Sequence, residues 1–173
     1  MSRDLYDLPV VRLGNDRNPR LVILLWNPGG NPQWPKRLPE YAMRSDGCYA
    51  PTGMPLDSLQ EYNDWWDDFC AAFREHGVKN SEVLFLEYYP YHTASSRGIP
   101  PEATWPKGAR DARDENIAIL RQCMARNVPV FGYYPAPWLR KVTELRTYTQ
   151  FQKSNRGWKK QKIKELENFL STL

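Results

Sequence analysis

The stretch Leu21-Val22-Ile23-Leu24-Leu25-Trp26-Asn27-Pro28-Gly29-Gly30 constrains this chain more than any other. It begins as an unbroken apolar run and stops abruptly in Asn-Pro-Gly-Gly. A short apolar run bounded by turn residues fits a strand covered on both faces. Pro28 has no N–H for a ladder, and Gly29 and Gly30 tolerate positive φ, so the strand ends there. One polar side chain, Asn27, is thereby placed at the carboxyl end of a central strand. In open α/β sheets that edge is where ligands bind. Asn27 has two readings: its side chain caps a turn, or it faces a ligand.

The other elements alternate around this strand. Residues 1–20 read as a polar opening segment with a short edge strand near Leu8-Pro9-Val10-Val11. Residues 31–55 are too rich in proline for a long helix and carry Trp34, Tyr41 and Tyr49. A loop of that length is usually functional, so it reads as a wall or lid. A helix capped by Asp57 or Ser58 follows, with Leu59, Tyr62, Trp66, Phe69 and Phe73 at helical spacing and Gly77 as its stop. His76, in its last turn, reads as structural. Strands are predicted at 83–89, 128–134 and 147–151, and helices at 110–126, from Pro137 onward, and at 158–171. Strand, helix, strand, helix in strict alternation implies right-handed crossovers and a parallel sheet between helices. The expected fold is a three-layer α/β/α sandwich on a central, mainly parallel four-stranded sheet, in one domain spanning 1–173.

Composition removes several classes of function. Two histidines, His76 and His92, and three cysteines without ligand spacing make a metal site unexpected, and no cofactor motif is present. Gly29-Gly30 is not followed by the Lys-Ser/Thr of a phosphate loop. No apolar run is long enough to span a bilayer, and the first residues show no signal pattern, so a cytoplasmic protein with reduced thiols is expected. The net charge is +4 and the pI about 9.0, with Lys153, Arg156, Lys159, Lys160, Lys162 and Lys164 crowded near the C-terminus. Basic residues beside many aromatics suit a nucleic acid, although a lysine-rich helix is also a common solvated face.

The predicted strand ends offer Asn27; Tyr89, Tyr91 and His92; Tyr133, Tyr134 and Trp138; then Ser154, Asn155 and Arg156. That set has no paired acids and no Ser-His-Asp or Cys-His arrangement. It suits a flat ligand that is stacked by rings and hydrogen-bonded by amides. Glu87, the carboxylate nearest in sequence, is expected to be paired within the sheet.

These residues carry a resemblance. A hydrophobic strand ending in Asn27-Pro28-Gly29 resembles the first motif of the uracil-DNA glycosylase superfamily, especially its mismatch-specific and single-strand-selective branches. Together with Glu87-Tyr88-Tyr89-Pro90-Tyr91-His92-Thr93 it is similar to a little-characterised bacterial set within that superfamily. The resemblance implies a uracil-DNA glycosylase-like fold in which Asn27 orients the attacking water. His92 would then stabilise the departing base or bind phosphate. Tyr49, Tyr89, Tyr91, Tyr133 and Trp138 would bind the base, and Ser154, Asn155, Arg156, Lys159 and Lys160 the DNA backbone. The superfamily's second motif, a His-Pro-Ser type of loop, has no counterpart: Gln152-Lys153-Ser154-Asn155-Arg156-Gly157-Trp158 stands in its place, and no histidine follows His92.

The expected function is that of a diverged DNA glycosylase-like protein. It would bind a nucleobase at the strand ends and hydrolyse the base–sugar N-glycosidic bond, without metal or cofactor, on single- or double-stranded DNA or a nucleotide. The alternative is a non-catalytic module on the same fold that binds nucleic acid, a nucleotide or a protein.

Overall fold

Residues 21–25 form the strand that their composition demands, and all five are buried. The computed structural model describes residues 12–15, 17–26, 64–90, 99–155 and 157–173. Within these, the elements run β1 (Arg12–Gly14), β2 (Leu21–Leu25), α1 (Asp64–Glu75), β3 (Val83–Glu87), α2 (Lys107–Ala125), β4 (Val130–Gly132), α3 (Pro135–Lys141), β5 (Phe151–Lys153) and α4 (Lys159–Leu170).

The strands make one sheet in the order β1-β3-β2-β4-β5. β2, β3, β4 and β5 are mutually parallel, and β1 runs antiparallel along the β3 edge. The parallel four-stranded core is therefore the expected one; β1 lies at Arg12–Gly14, and the edge strand expected near residues 8–11 lies outside the described residues. Gly14 explains the close approach of β1. Its φ is +89°, and a Cβ there would sit 2.1 Å from the Val83 carbonyl oxygen, so only glycine fits.

Side chains alternate across the sheet and feed two cores. One face carries Leu21, Ile23, Leu25, Val83, Phe85, Phe131 and Tyr133 against Phe69 and Phe73 of α1 and Ile163, Leu166, Phe169 and Leu170 of α4. Phe69 meets Phe85 edge-on at 5.4 Å and Tyr133 at 5.2 Å, within the range where aromatic pairs add to simple burial. The other face carries Val22, Leu24, Leu84, Leu86 and Val130 against Ile117 and Leu120 of α2 and Trp138 of α3. Helices thus cover both faces, which is why β2 and β3 read as continuous apolar runs rather than alternating ones.

Several boundaries differ from those the sequence predicts: β3 ends at Glu87 rather than 89, and β4 spans Val130–Gly132 rather than 128–134. The strand expected at 147–151 starts only at Phe151, because Thr143–Arg146 closes a 3-10 turn and Tyr148 spends its hydroxyl on the Val128 carbonyl, 2.9 Å away. α2 begins at Lys107, ahead of 110, and α3 begins at Pro135, where the missing N–H costs nothing, rather than at Pro137. His76 is structural as expected: Nδ1 meets the Ala72 carbonyl oxygen at 2.9 Å and Nε2 meets the Ser171 hydroxyl at 3.0 Å, tying α1 to the C-terminus. No helix among the described residues is long and apolar enough to cross a membrane.

Candidate ligand site at the carboxyl edge of the sheet

Parallel strands bring the ends of β2, β3 and β4 to one edge, and hydrogen bonds lace them together. The Leu25 carbonyl accepts from the Trp138 indole at 2.6 Å and from the Tyr88 N–H at 3.3 Å. Tyr134 N–H donates to Leu24 O at 3.0 Å, and Tyr89 N–H to Trp26 O at 2.7 Å. Gly132 lets α3 fold back over this edge, since a Cβ there would lie 2.8 Å from Pro135 Cβ and 3.1 Å from the Phe151 ring. The described part of β2 leaves the edge at Trp26; Asn27 lies outside the described residues, as do Tyr49, Tyr91, His92 and Arg156.

Glu87 is the last residue of β3, in register with Leu25. The sheet's alternation puts it on the α1/α4 face, two residues beyond Phe85. It is only 2% exposed, yet no donor reaches its Oε2 among the described residues. The expectation that Glu87 is paired within the sheet is therefore corrected. Its neighbour across the ladder is Leu25, whose apolar side chain offers no donor. Burial without a partner pushes its carboxyl well above the usual carboxylate range and favours the protonated form. Its backbone carbonyl accepts from Asn116 Nδ2 at 2.9 Å.

Lys162 enters the same edge from the first turn of α4. Its stem follows the buried stripe of Ile163 and Leu166, and the residue is 7% exposed. Nζ donates to the Tyr133 carbonyl at 3.0 Å and rests 3.6 Å from the centroid of the Tyr134 ring and 4.8 Å from that of Tyr133. Burial lowers its pKa from 10.5 to about 8, against the opposing pull of Glu165. Tyr134, by contrast, is 39% exposed. Burial and then the charge of Glu87 raise its hydroxyl pKa, so the Tyr134 ring lies within electrostatic reach of Glu87 while carrying the Lys162 amine.

A second polar cluster on the opposite face is closed. The Tyr88 hydroxyl donates to Glu102 Oε2 at 3.1 Å, Lys141 Nζ lies 2.7 Å from Glu102 Oε1, and Arg113 bonds both Glu102 and Asp114. Arg113 also stands over the Trp105 ring, 5.6 Å from its centroid. Its charges are matched, and it clasps residues 99–105 to α2 and α3.

The described candidates from the sequence divide into core and rim. Tyr89, Tyr133 and Trp138 are all buried. Tyr133 packs on Phe69 and Tyr89 on Trp105, while Trp138 spends its N–H on Leu25, so these rings brace the edge from below. Ser154 is buried as well, its hydroxyl donating to Tyr133 O at 2.8 Å. Asn155 is exposed but holds the Glu165 carboxylate through its backbone N–H at 2.8 Å and its Nδ2 at 3.0 Å. Lys159 pairs with Asp68 at 2.5 Å, and Lys160 is exposed.

Reading by motif underweighted Glu87, Tyr134, Lys162 and Trp158. Trp158, the residue before α4, is 87% exposed, flanked by Lys159 and Lys160. Two signals were present in the pattern. Lys162 sits on the apolar stripe of α4 rather than its solvated face, and Glu87 occupies an inward position of β3. α4 also breaks a local rule: its first turn carries lysines and no acid, against the helix dipole.

No protein-family model matches the chain, and no curated protein sequence matches it.

Proposed function

We propose that the carboxyl edge of this sheet binds a nucleobase and that the protein is a diverged DNA glycosylase-like hydrolase of the base–sugar bond. The observation that carries the reading is Glu87, a buried carboxyl at the end of a central strand whose Oε2 meets no donor among the described residues. A polar atom so placed costs about 1–3 kcal/mol until a ligand supplies its partner. A protonated carboxyl presents one donor and one acceptor side by side, which complements the hydrogen-bonding edge of a nucleobase. The aromatic Tyr134 flanks the same position.

The rim supports a nucleic-acid partner. Trp158 is exposed like a stacking platform, and Lys153 and Lys160 stand near it in sequence and exposed. The lysines at the start of α4 are unfavourable to the helix alone and favourable once phosphates neutralise them. In this reading Asn27 orients the attacking water and His92 stabilises the departing base. Cleavage builds positive charge on the sugar and negative charge on the base, so positioning and hydrogen bonds to the leaving group carry the rate. Asn27 orients without accepting the proton.

The second reading is a non-catalytic module that keeps the base site and binds nucleic acid, a nucleotide or a protein. The absence of any histidine after His92, where the resembling superfamily has its second motif, favours it. Incubation with single- and double-stranded oligonucleotides carrying uracil, hypoxanthine and alkylated bases, scored for abasic sites, separates the two. Base release by wild type that is lost in Asn27→Ala supports the hydrolase. Binding without release supports the module, and neither binding nor release refutes both.

A further inference from the structure

The amine of Lys162 is held by groups that do not fix its proton. A backbone carbonyl and two tyrosine rings surround it, and no carboxylate forms an ion pair with Nζ among the described residues. Three other lysines differ. Lys107 pairs with Asp111, Lys141 with Glu102 and Lys159 with Asp68. Glu165 on its own helix is the charge that acts on it; Glu87 of β3 acts on the neighbouring Tyr134, and Asp68 of α1 is engaged by Lys159. A desolvated amine is the form of lysine that acts as a nucleophile toward carbonyl carbon. With its pKa at about 8, a useful share of Lys162 is neutral near pH 7.5. The ring on which the amine rests, 3.6 Å from Nζ to its centroid, is that of Tyr134, which is 39% exposed, so a single side chain separates the amine from the surface.

We propose that Lys162 is a carbonyl-reactive amine that condenses with the aldehyde of an abasic sugar held at the carboxyl edge of the sheet. The proposal rests on the base-binding reading for what brings the sugar there. The Nζ lone pair adds to the C1′ aldehyde carbon of the ring-opened sugar, and the carbonyl electron pair moves onto oxygen. One N–H proton passes to that oxygen, giving a carbinolamine. The hydroxyl then leaves with the second N–H proton as water, and C=N forms. Nothing is oxidised or reduced. The consequence is a covalent hold on the damaged strand after the base has gone.

The test uses the full chain and an oligonucleotide with a preformed abasic site, so it does not depend on base release. Sodium cyanoborohydride supplies the hydride that reduces the imine to a stable secondary amine, and mass spectrometry of the digested adduct maps the lysine. One adduct per chain, on Lys162, is expected. Lys162→Arg keeps the cation but should lower the yield about tenfold or more, while Lys107→Arg keeps it; thermal melts confirm that both variants fold. Below about 8, the rate of trapping should climb with pH as the neutral amine grows about tenfold per pH unit. No adduct, or adducts spread over exposed lysines with Lys162 unmodified, overturns the proposal. Trapping on Lys162 in a protein that releases no base leaves this proposal standing and refutes the hydrolase. Release without trapping does the reverse.

Discussion

Replacing Lys162 with methionine should stabilise the protein at neutral pH. The ammonium is held below its ordinary pKa, from 10.5 to about 8, chiefly by burial. At about 1.4 kcal/mol per pH unit, that depression is a cost of about 3 kcal/mol for keeping the charge in place. Solvent at the sheet edge screens part of it, so about 1–2 kcal/mol is the realistic gain on removing the charge. Methionine keeps the unbranched stem that packs beside Ile163 and Leu166. The Tyr133 carbonyl is not orphaned, because the Ser154 hydroxyl still donates to it at 2.8 Å. For a chain of this size the gain corresponds to a Tm increase of about 2–8 °C.

The pH dependence gives the sharper signature. Between about pH 8 and 10.5 the unfolded lysine is still protonated while the folded one is not, so the unfolded state binds more protons. Wild-type stability therefore rises with pH across that window, and the advantage of Lys162→Met shrinks as it does so. Urea denaturation of both proteins at pH 7, 8, 9 and 10 measures the gap directly. A variant less stable than wild type at pH 7, or a gap that does not narrow by pH 10, would refute the reasoning.

Other perturbations follow from single contacts. Glu87→Gln should remove a pH effect of opposite sign: the folded carboxyl titrates above its usual 4.5, so wild-type stability falls as pH rises from there through the folded pKa. Denaturation curves from pH 4 to 8 should show that decline in wild type and not in the variant. Trp158→Ala should leave the melting temperature unchanged, because the ring is 87% exposed. It should weaken binding to single-stranded DNA by about 1–3 kcal/mol in an anisotropy titration if the ring stacks a base. Lys160→Glu should weaken binding to all sequences alike and flatten its salt dependence, a pattern that a merely solvated lysine would not give. Trp138→Phe should destabilise by about 0.5–1.5 kcal/mol in urea, since it removes the 2.6 Å donor to the buried Leu25 carbonyl and leaves only the Tyr88 N–H at 3.3 Å.

The fold was legible because its central strands are covered on both faces. Apolar runs such as 21–25 and 83–86 admit few alternatives, and the proline and glycine punctuation marks their ends. The fourth strand was legible only in outline. The alternation of Thr147 to Phe151 imitates a strand, but Tyr148 turns to cap Val128, a tertiary contact that local pattern does not contain. The site divides in the same way. Residue type suggested that tyrosines and tryptophans near the strand ends would stack a ligand, and packing assigned Tyr89, Tyr133 and Trp138 to the core. Composition also grouped Lys162 with its solvated neighbours. Its place on the stripe with Ile163, Leu166, Phe169 and Leu170 sends it inward instead.

The central claim is that Glu87, buried and with its Oε2 unmet among the described residues, takes the edge of a nucleobase as its partner. Carbon-detected NMR of the Glu87 side-chain carboxyl, titrated with pH in the absence and presence of free uracil, cytosine, adenine and hypoxanthine, addresses it without requiring catalysis. The account predicts a carboxyl that titrates well above 4.5 in the free protein and a resonance that shifts on addition of at least one base, with Glu87→Gln weakening that base's affinity. A carboxyl that titrates near 4.5 and is indifferent to every base would contradict it.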